Sequence, residues 1–248
     1  MIGRVLLVVV AVMLLSCGGQ KIANYEAKST EVSSSIQSDG IDSLIEVYRL
    51  DMAAKMNEKI GYTDSALVKF APESPLSNFA ADVVYARGMD FALQKPRIPI
   101  NKTNSFCLLN FGGLRASINA GDITVGNIYE LMPFENTIYI AELTYSELDS
   151  IYEYLYEMGG QPLSNCNFQL AANKKTGLIG GESLKRDSNF FVITSNYLFG
   201  GGDKMTFFSR AVRKWDTGIL IRDAFMMAIS KMKTLPYYLD EDRLVLDK

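Results

Sequence analysis

From Ile41 to Met56 apolar residues recur at 41, 44, 45, 48, 52 and 56, a helical spacing that predicts an amphipathic helix leading into a short strand near Leu67–Phe70. Ser74 followed by Pro75 is a helix-start signal, and Leu76, Phe79, Ala80, Val83, Val84 and Met89 form the apolar face of a helix expected over Pro75–Leu93. The run Phe106–Leu109 is continuously apolar, as a buried strand would be, and it stops at Asn110 ahead of Gly112-Gly113. A short helix near Val125–Leu131 and a strand over Thr137–Leu143 follow. A helix is then expected from Thr144 to Met158, with Thr144 and Glu147 as a capping box. Strands near Phe168–Ala171 and Phe190–Ser195 precede a second glycine run, Gly200–Gly202. An amphipathic helix over Thr217–Met232 and an edge strand at Arg243–Leu246 complete the pattern. Strands and helices mixed without a strict alternation, and without an internal repeat, imply an α+β domain around a mixed β-sheet flanked by helices.

The first residues read differently. A single charge at Arg4 precedes an unbroken apolar stretch from Val5 to Leu15, too short for a lasting membrane span and suited to a secretory leader. Leu14-Leu15-Ser16-Cys17 resembles the lipobox of bacterial lipoproteins, which makes residues 1–16 the leader and Cys17 the lipidation site; an uncleaved anchor or a plain leader cut elsewhere are the alternatives. Residues 17–39, rich in Gly, Ser, Gln and Lys, lack the apolar density of a core and read as a flexible tether, leaving 40–248 as the folded domain. The expected protein is exported and held to the cell envelope by lipid, facing the periplasm or anchored in the outer membrane. Cys107 and Cys166 could pair in such a compartment, but the apolar run around Cys107 favours two buried free thiols.

Composition narrows the chemistry. In 248 residues there is no histidine, which excludes Ser-His-Asp and Cys-His machinery and any metal centre built on imidazole. With 25 basic and 28 acidic residues the net charge is −3, without long runs, so there is no cationic footprint for a nucleic acid polymer. Two glycine-rich loops leave the ends of expected strands: Asn110-Phe111-Gly112-Gly113-Leu114-Arg115 and Asn196-Tyr197-Leu198-Phe199-Gly200-Gly201-Gly202-Asp203. Each brings an Asn and a charged side chain to a backbone that a small polar ligand can approach closely. Neither has the Gly-Lys-Ser/Thr ending of a P-loop or a dinucleotide fingerprint. A third segment, Met132-Pro133-Phe134-Glu135-Asn136, sets an aromatic at a helix-to-strand junction. Taken singly, each loop reads as a tight turn with a capping Asn, and Phe134 as a core ring.

Together, in this order, these segments resemble the C-terminal domain of the 5'-nucleotidases. The resemblance is carried by Glu73, Leu76, Asn78 and Asp82; by Asn110, Gly112, Gly113 and Arg115 with Gly121, Ile123 and Thr124; by Pro133, Phe134 and Asn136; and by Asn196, Tyr197, Gly201, Gly202 and Asp203. It extends over about residues 41–247, to an ending of helix, Pro236 and Asp242-Arg243-Leu244. There are departures: the family's upstream arginine has no counterpart, with Phe70, Ala71 and Pro72 in its stretch and Lys69 nearby, Ser77 and Phe111 replace customary residues, and Lys204 follows Asp203. The resemblance implies that Phe134 and Tyr197 clamp a base, Asp203 binds ribose hydroxyls, Asn136 meets the base edge, and Asn110 and Arg115 face the ribose or phosphate. It also implies that catalysis belongs to a two-metal metallophosphatase domain, which a chain without histidine does not supply. No cofactor is therefore expected on this chain; divalent metals are expected on a partner metallophosphatase, and the isolated chain is expected to hydrolyse nothing at an appreciable rate. Three readings follow: one half of a split nucleotidase, a surface protein that captures nucleotides or nucleosides without turnover, or a structural lipoprotein that has lost binding.

Overall fold

The computed structural model describes residue 29 and residues 39–95, 97–237 and 242–247. The expected leader, Cys17 and, but for Ser29 and Asp39, the tether lie outside the described residues. The chain divides into two units, residues 1–47 and 48–248, the second holding the sheets and the remaining helices. A helix α1 spans Asp39–Met56, as the spacing predicts, with Ile41, Leu44, Ile45, Tyr48 and Met52 all exposed.

The strand that follows is β1, Lys59–Thr63, not the expected Leu67–Phe70. Leu67 makes a single two-bond bridge with Ile118, after which Val68 and Phe70 are exposed and no ladder continues. The helix α2 (Pro75–Leu93) begins as the sequence predicts, with the Ser74 hydroxyl accepting from the Ser77 N–H and the Ser77 side chain reaching back to the Ser74 N–H. It is buried on most of its circumference, from Leu76 and Phe79 to Gly88 and Ala92. Next come β2 (Ser105–Leu108), β3 (Gly121–Thr124), α3 (Val125–Leu131) and β4 (Thr137–Thr144). The helix α4 starts at Ser146, not Thr144, and the expected capping box does not form. Thr144 is the last residue of β4, its hydroxyl hydrogen-bonded to that of Ser146, and Glu147 pairs instead with Arg210.

After α4 (Ser146–Met158) lie β5 (Leu163–Ser164), β6 (Cys166–Ala171), β7 (Lys174–Ile179), β8 (Asn189–Ser195) and the one-turn helix α5 (Asn196–Phe199). The last elements are β9 (Arg213–Leu220), α6 (Ile221–Met232), β10 (Thr234–Leu235) and β11 (Leu244–Asp247). The helix expected from Thr217 thus begins four residues late. Residues 213–220 pair with the open side of β4, and those backbone hydrogen bonds outweigh a helical pattern that has no capping side chain at its start.

The result is an α+β fold. Its centre is a mixed five-stranded sheet in the order β5-β2-β8-β4-β9, in which β2 and β8 run parallel and the other neighbours antiparallel. Two three-stranded sheets, β10-β1-β3 and β11-β6-β7, stand apart from it, and β11 is the edge strand the sequence predicts. Both faces of the central sheet are covered, which is why β2 and β8 read as continuous apolar runs. Cys107 and Leu109 join Phe191 and Ile193 in the core under α2 and α6, while Phe106 and Leu108 join Phe190 and Val192 in the core under α4 and β6. Cys107 and Cys166 are free and buried, and burial pushes both thiols up.

Candidate ligand site at one end of the central sheet

Sheet topology brings the three segments together. Because β2 and β8 are parallel neighbours, their C-terminal ends emerge side by side, releasing Asn110 and Asn196 into the two glycine loops. Because β4 is antiparallel to β8, with Ile138 opposite Ser195, the segment that enters β4 arrives at the same end. That segment carries Phe134 and Asn136, and it is held by the Ile221 N–H donating to the Asn136 carbonyl at 2.9 Å. A cavity of about 290 Å³ lies between, lined by Asn110, Gly112, Gly113, Arg115, Phe134, Asn136, Tyr197 and Asp203. This is near the lower bound of small-molecule sites, roughly 300–1,000 Å³. Phe134 and Tyr197 are 43% and 47% exposed, so Phe134 is not the core ring it resembles when taken singly. All six predicted side chains line the cavity, as do Gly112 and Gly113; the other two predicted loop glycines, Gly201 and Gly202, are not among its lining residues and lie just before Asp203 in the second loop. A larger groove of about 580 Å³ between α2 and α6 contains none of them.

Asp203 is the hub. Its Oδ2 accepts from Asn110 Nδ2 at 2.6 Å and its Oδ1 from the Tyr197 hydroxyl at 2.8 Å, while its carbonyl accepts from the Tyr154 hydroxyl at 3.1 Å. Its backbone is left-handed (φ 50°, ψ 30°), a conformation that Asp tolerates better than most side chains, and Gly201 before it lies at φ 89°. Each carboxylate oxygen retains further acceptor capacity, since an ionised carboxylate offers about four lone-pair directions. The hydrogen bond to Asp203 and that group's negative charge raise the Tyr197 phenol above its ordinary value. Tyr154 is pushed up to about 12, by burial first and then by the charge of Asp203.

The Tyr197 ring rests on its own loop. A side chain at Gly202 would put its Cβ 2.5 Å from Tyr197 Cε1 and Cζ, so only glycine lets the backbone lie against that ring. The Ser195 hydroxyl caps α5, and Asn196 Oδ1 accepts from the N–H groups of Tyr197 and Thr137, tying the second loop to the start of β4. In the first loop, Lys69 Nζ donates to the carbonyls of Phe111 and Leu114. The ammonium near the missing upstream arginine is thus engaged with the loop itself, and Arg115 is the basic side chain lining the cavity.

Two contributors escaped the sequence reading. The Phe111 N–H donates to Gln161 Oε1 at 2.9 Å, Gln161 Nε2 to the Tyr154 hydroxyl at 3.3 Å, and that hydroxyl to the Asp203 carbonyl, a relay that joins the two glycine loops. Tyr154 sits on the apolar stripe of α4 and carries no local mark of a polar task. Conversely, the first family motif builds no part of the cavity. Arg243 grips Asp82 through two hydrogen bonds of 2.7 and 3.0 Å, its N–H donates to Glu73, and Asn78 Nδ2 donates to Glu73 at 2.6 Å. Glu73, Asn78 and Asp82 therefore fasten the C-terminal strand to α2.

The donor set does not fit a two-metal centre: the chain has no histidine, and among the described residues no three acidic or thiol side chains gather to hold a metal ion. Among the described residues, too, no helix is long and apolar enough to cross a membrane.

Comparison with known proteins agrees with this architecture. The trifunctional nucleotide phosphoesterase protein YfkN of Bacillus subtilis is 29% identical over 211 residues, which is 76% of this chain and 14% of that protein. Protein UshA of Escherichia coli is 31% identical over 104 residues, 40% of this chain and 19% of its own length. The chain thus spans under a fifth of either relative. Among solved structures, a 5'-nucleotidase precursor from Thermus thermophilus superposes with a TM-score of 0.66 at 24% identity, covering 84% of this chain and 43% of that one. The NAD nucleotidase of Haemophilus influenzae does so at 0.64 and 19%, covering 85% of this chain and 41% of its own. The family model of the 5'-nucleotidase C-terminal domain matches residues 54–210, well over half of the chain and both glycine loops, and the chain belongs to that family.

Proposed function

We infer that the protein recognises nucleosides or nucleotides through the cavity at the end of the central sheet, and that it acts in extracytoplasmic nucleotide hydrolysis beside a separately encoded metallophosphatase. One observation carries the reading: six polar and aromatic side chains, from segments up to 93 residues apart, line one opening. Two exposed rings suit the two π faces of a base, whose stacking on an aromatic contributes about 1–3 kcal/mol. The spare acceptor capacity of Asp203 suits a cis-diol. The relatives named as nucleotide phosphoesterase and 5'-nucleotidase favour the same ligand class. Because this donor set fits no two-metal centre, divalent metals belong to the partner in this reading, and the chain alone hydrolyses nothing at an appreciable rate. Acylation at Cys17 after removal of residues 1–16 would tether the pair to the envelope membrane, with residues 17–39 as the spacer.

Capture without turnover is the second reading. It is favoured by Arg115 being the single basic side chain among the described residues that line the cavity, which gives a weaker and less oriented hold on phosphate than an arginine cluster. The test is titration of the full chain with AMP, adenosine and UDP-glucose, followed by phosphate release with and without the candidate metallophosphatase. Tight binding with release only in the partner's presence supports the split enzyme. Binding of adenosine as tight as AMP, and no release under either condition, supports capture. Failure to bind any of the three refutes both.

A further inference from the structure

We propose that Asp203, besides receiving a sugar, positions the Tyr197 ring for base stacking, so that the carboxylate governs the binding of ligands that have no hydroxyl to offer it. This rests on the nucleoside reading of the cavity. The geometry is a three-sided hold. The Tyr197 hydroxyl donates to Asp203 Oδ1 at 2.8 Å, the ring lies against the Gly202 backbone, and the residue's N–H is bonded to Asn196 Oδ1 at 2.9 Å. Asp203 is itself anchored by Asn110 and Tyr154, at 2.6 and 3.1 Å. An exposed tyrosine would otherwise sample its staggered χ1 positions, and a ligand would have to select the stacking one. Here one edge of the ring is fixed by a charge-assisted hydrogen bond, and its position is set before any ligand arrives. Phe134 has no hydroxyl and cannot be held in this way, so the tether belongs to one side of the clamp.

Two ligands separate this role from that of a sugar acceptor: adenine, and 2',3'-dideoxyadenosine, which keeps the sugar ring without its hydroxyl pair. Tyr197→Phe retains the ring and removes only the tether; it is expected to weaken both ligands about three-fold, the cost of selecting one of three staggered χ1 positions. Asp203→Gly, chosen because glycine suits the left-handed backbone, is expected to weaken them by a similar factor in the wild-type background and to have no further effect in the Tyr197→Phe background. Adenosine should lose affinity in both backgrounds, through its hydroxyls. If either single variant binds adenine and dideoxyadenosine as well as the wild type does, the proposal is overturned. A ligand-free reading accompanies it: with 13C-labelled tyrosine, Tyr197 should titrate above free tyrosine and return toward it in Asp203→Gly. An unchanged titration overturns the proposal even if no ligand binds, whereas a wild-type chain that binds none of the ligands but shows this shift retains the Asp203–Tyr197 tether and overturns the nucleoside reading, and the stacking role with it.

Discussion

A methyl group at Gly202 tests the cavity with little risk to the fold. In Gly202→Ala the new Cβ would stand 2.5 Å from Cε1 and Cζ of Tyr197. Carbon atoms prefer about 3.5–4.0 Å, so the ring must retreat by roughly 1 Å. Tyr197 is 47% exposed and can swing toward solvent, so stability should change by less than about 1 kcal/mol. The retreat lengthens its 2.8 Å hydrogen bond to Asp203 beyond the useful range and spoils the stacking face. Loss of one stacking partner, about 1–3 kcal/mol, corresponds to adenosine binding about 5- to 150-fold weaker. Calorimetric titration with adenosine, beside a thermal melt of the same sample, reads both quantities. An unchanged Kd would refute the role given to Tyr197, and a large fall in Tm would mean that the ring supports the fold instead.

The other predictions concern the opposite jaw, the C-terminal fastening and a buried carboxylate. Phe134→Ala should weaken adenosine to a comparable degree and barely move the melting temperature, because the ring is 43% exposed; a collapse in stability would return Phe134 to the core. Arg243→Met should cost roughly 3 kcal/mol in chemical denaturation, at the low end for a broken buried ion pair because Asp82 is a third exposed, while the protein that remains folded binds adenosine normally. An affinity loss without a stability loss would contradict the fastening role. At Glu142 burial opposes ionisation, but hydrogen bonds from Arg213 and Asn189 outweigh it and hold the carboxyl below its ordinary value. That stabilisation is present above the ordinary carboxylate range and is lost as pH falls through the lowered folded value. Glu142→Gln should therefore be less stable than wild type at neutral pH, with the gap closing as pH falls through that lowered value, as read by urea unfolding; a pH-independent gap would contradict the assignment.

What could be read in advance depended on the range of the forces involved. The start of α2 at Ser74-Pro75 and the ends of β2 and β8 at their asparagines are local matters of capping, apolar runs and loop chemistry, and the sequence marks them plainly. The polar strand β7, with Lys174, Lys175 and Thr176, has no apolar alternation to announce it, and it exists because β6 offers a free side. The same competition from a neighbouring strand turned Thr217–Leu220 from helix into β9 and took Thr144 into β4. The site shows the same division. The resemblance to the 5'-nucleotidase C-terminal domain, carried by residue type and order, pointed to the six side chains that line the cavity, whereas each segment taken singly did not. Tyr154, Gln161 and Lys69 joined them only through contacts across the fold. Likewise Glu73, Asn78 and Asp82 were legible as a motif but not as a fastening, since their partner Arg243 lies 161 residues beyond Asp82 in the chain. The amino-acid order by itself determined the family, the α+β composition and which side chains could meet a ligand. Only the parallel pairing of β2 with β8, and the antiparallel return of β4, decided that they would share one cavity, because a sheet's edge-to-edge order is set by long-range packing that no local stretch encodes.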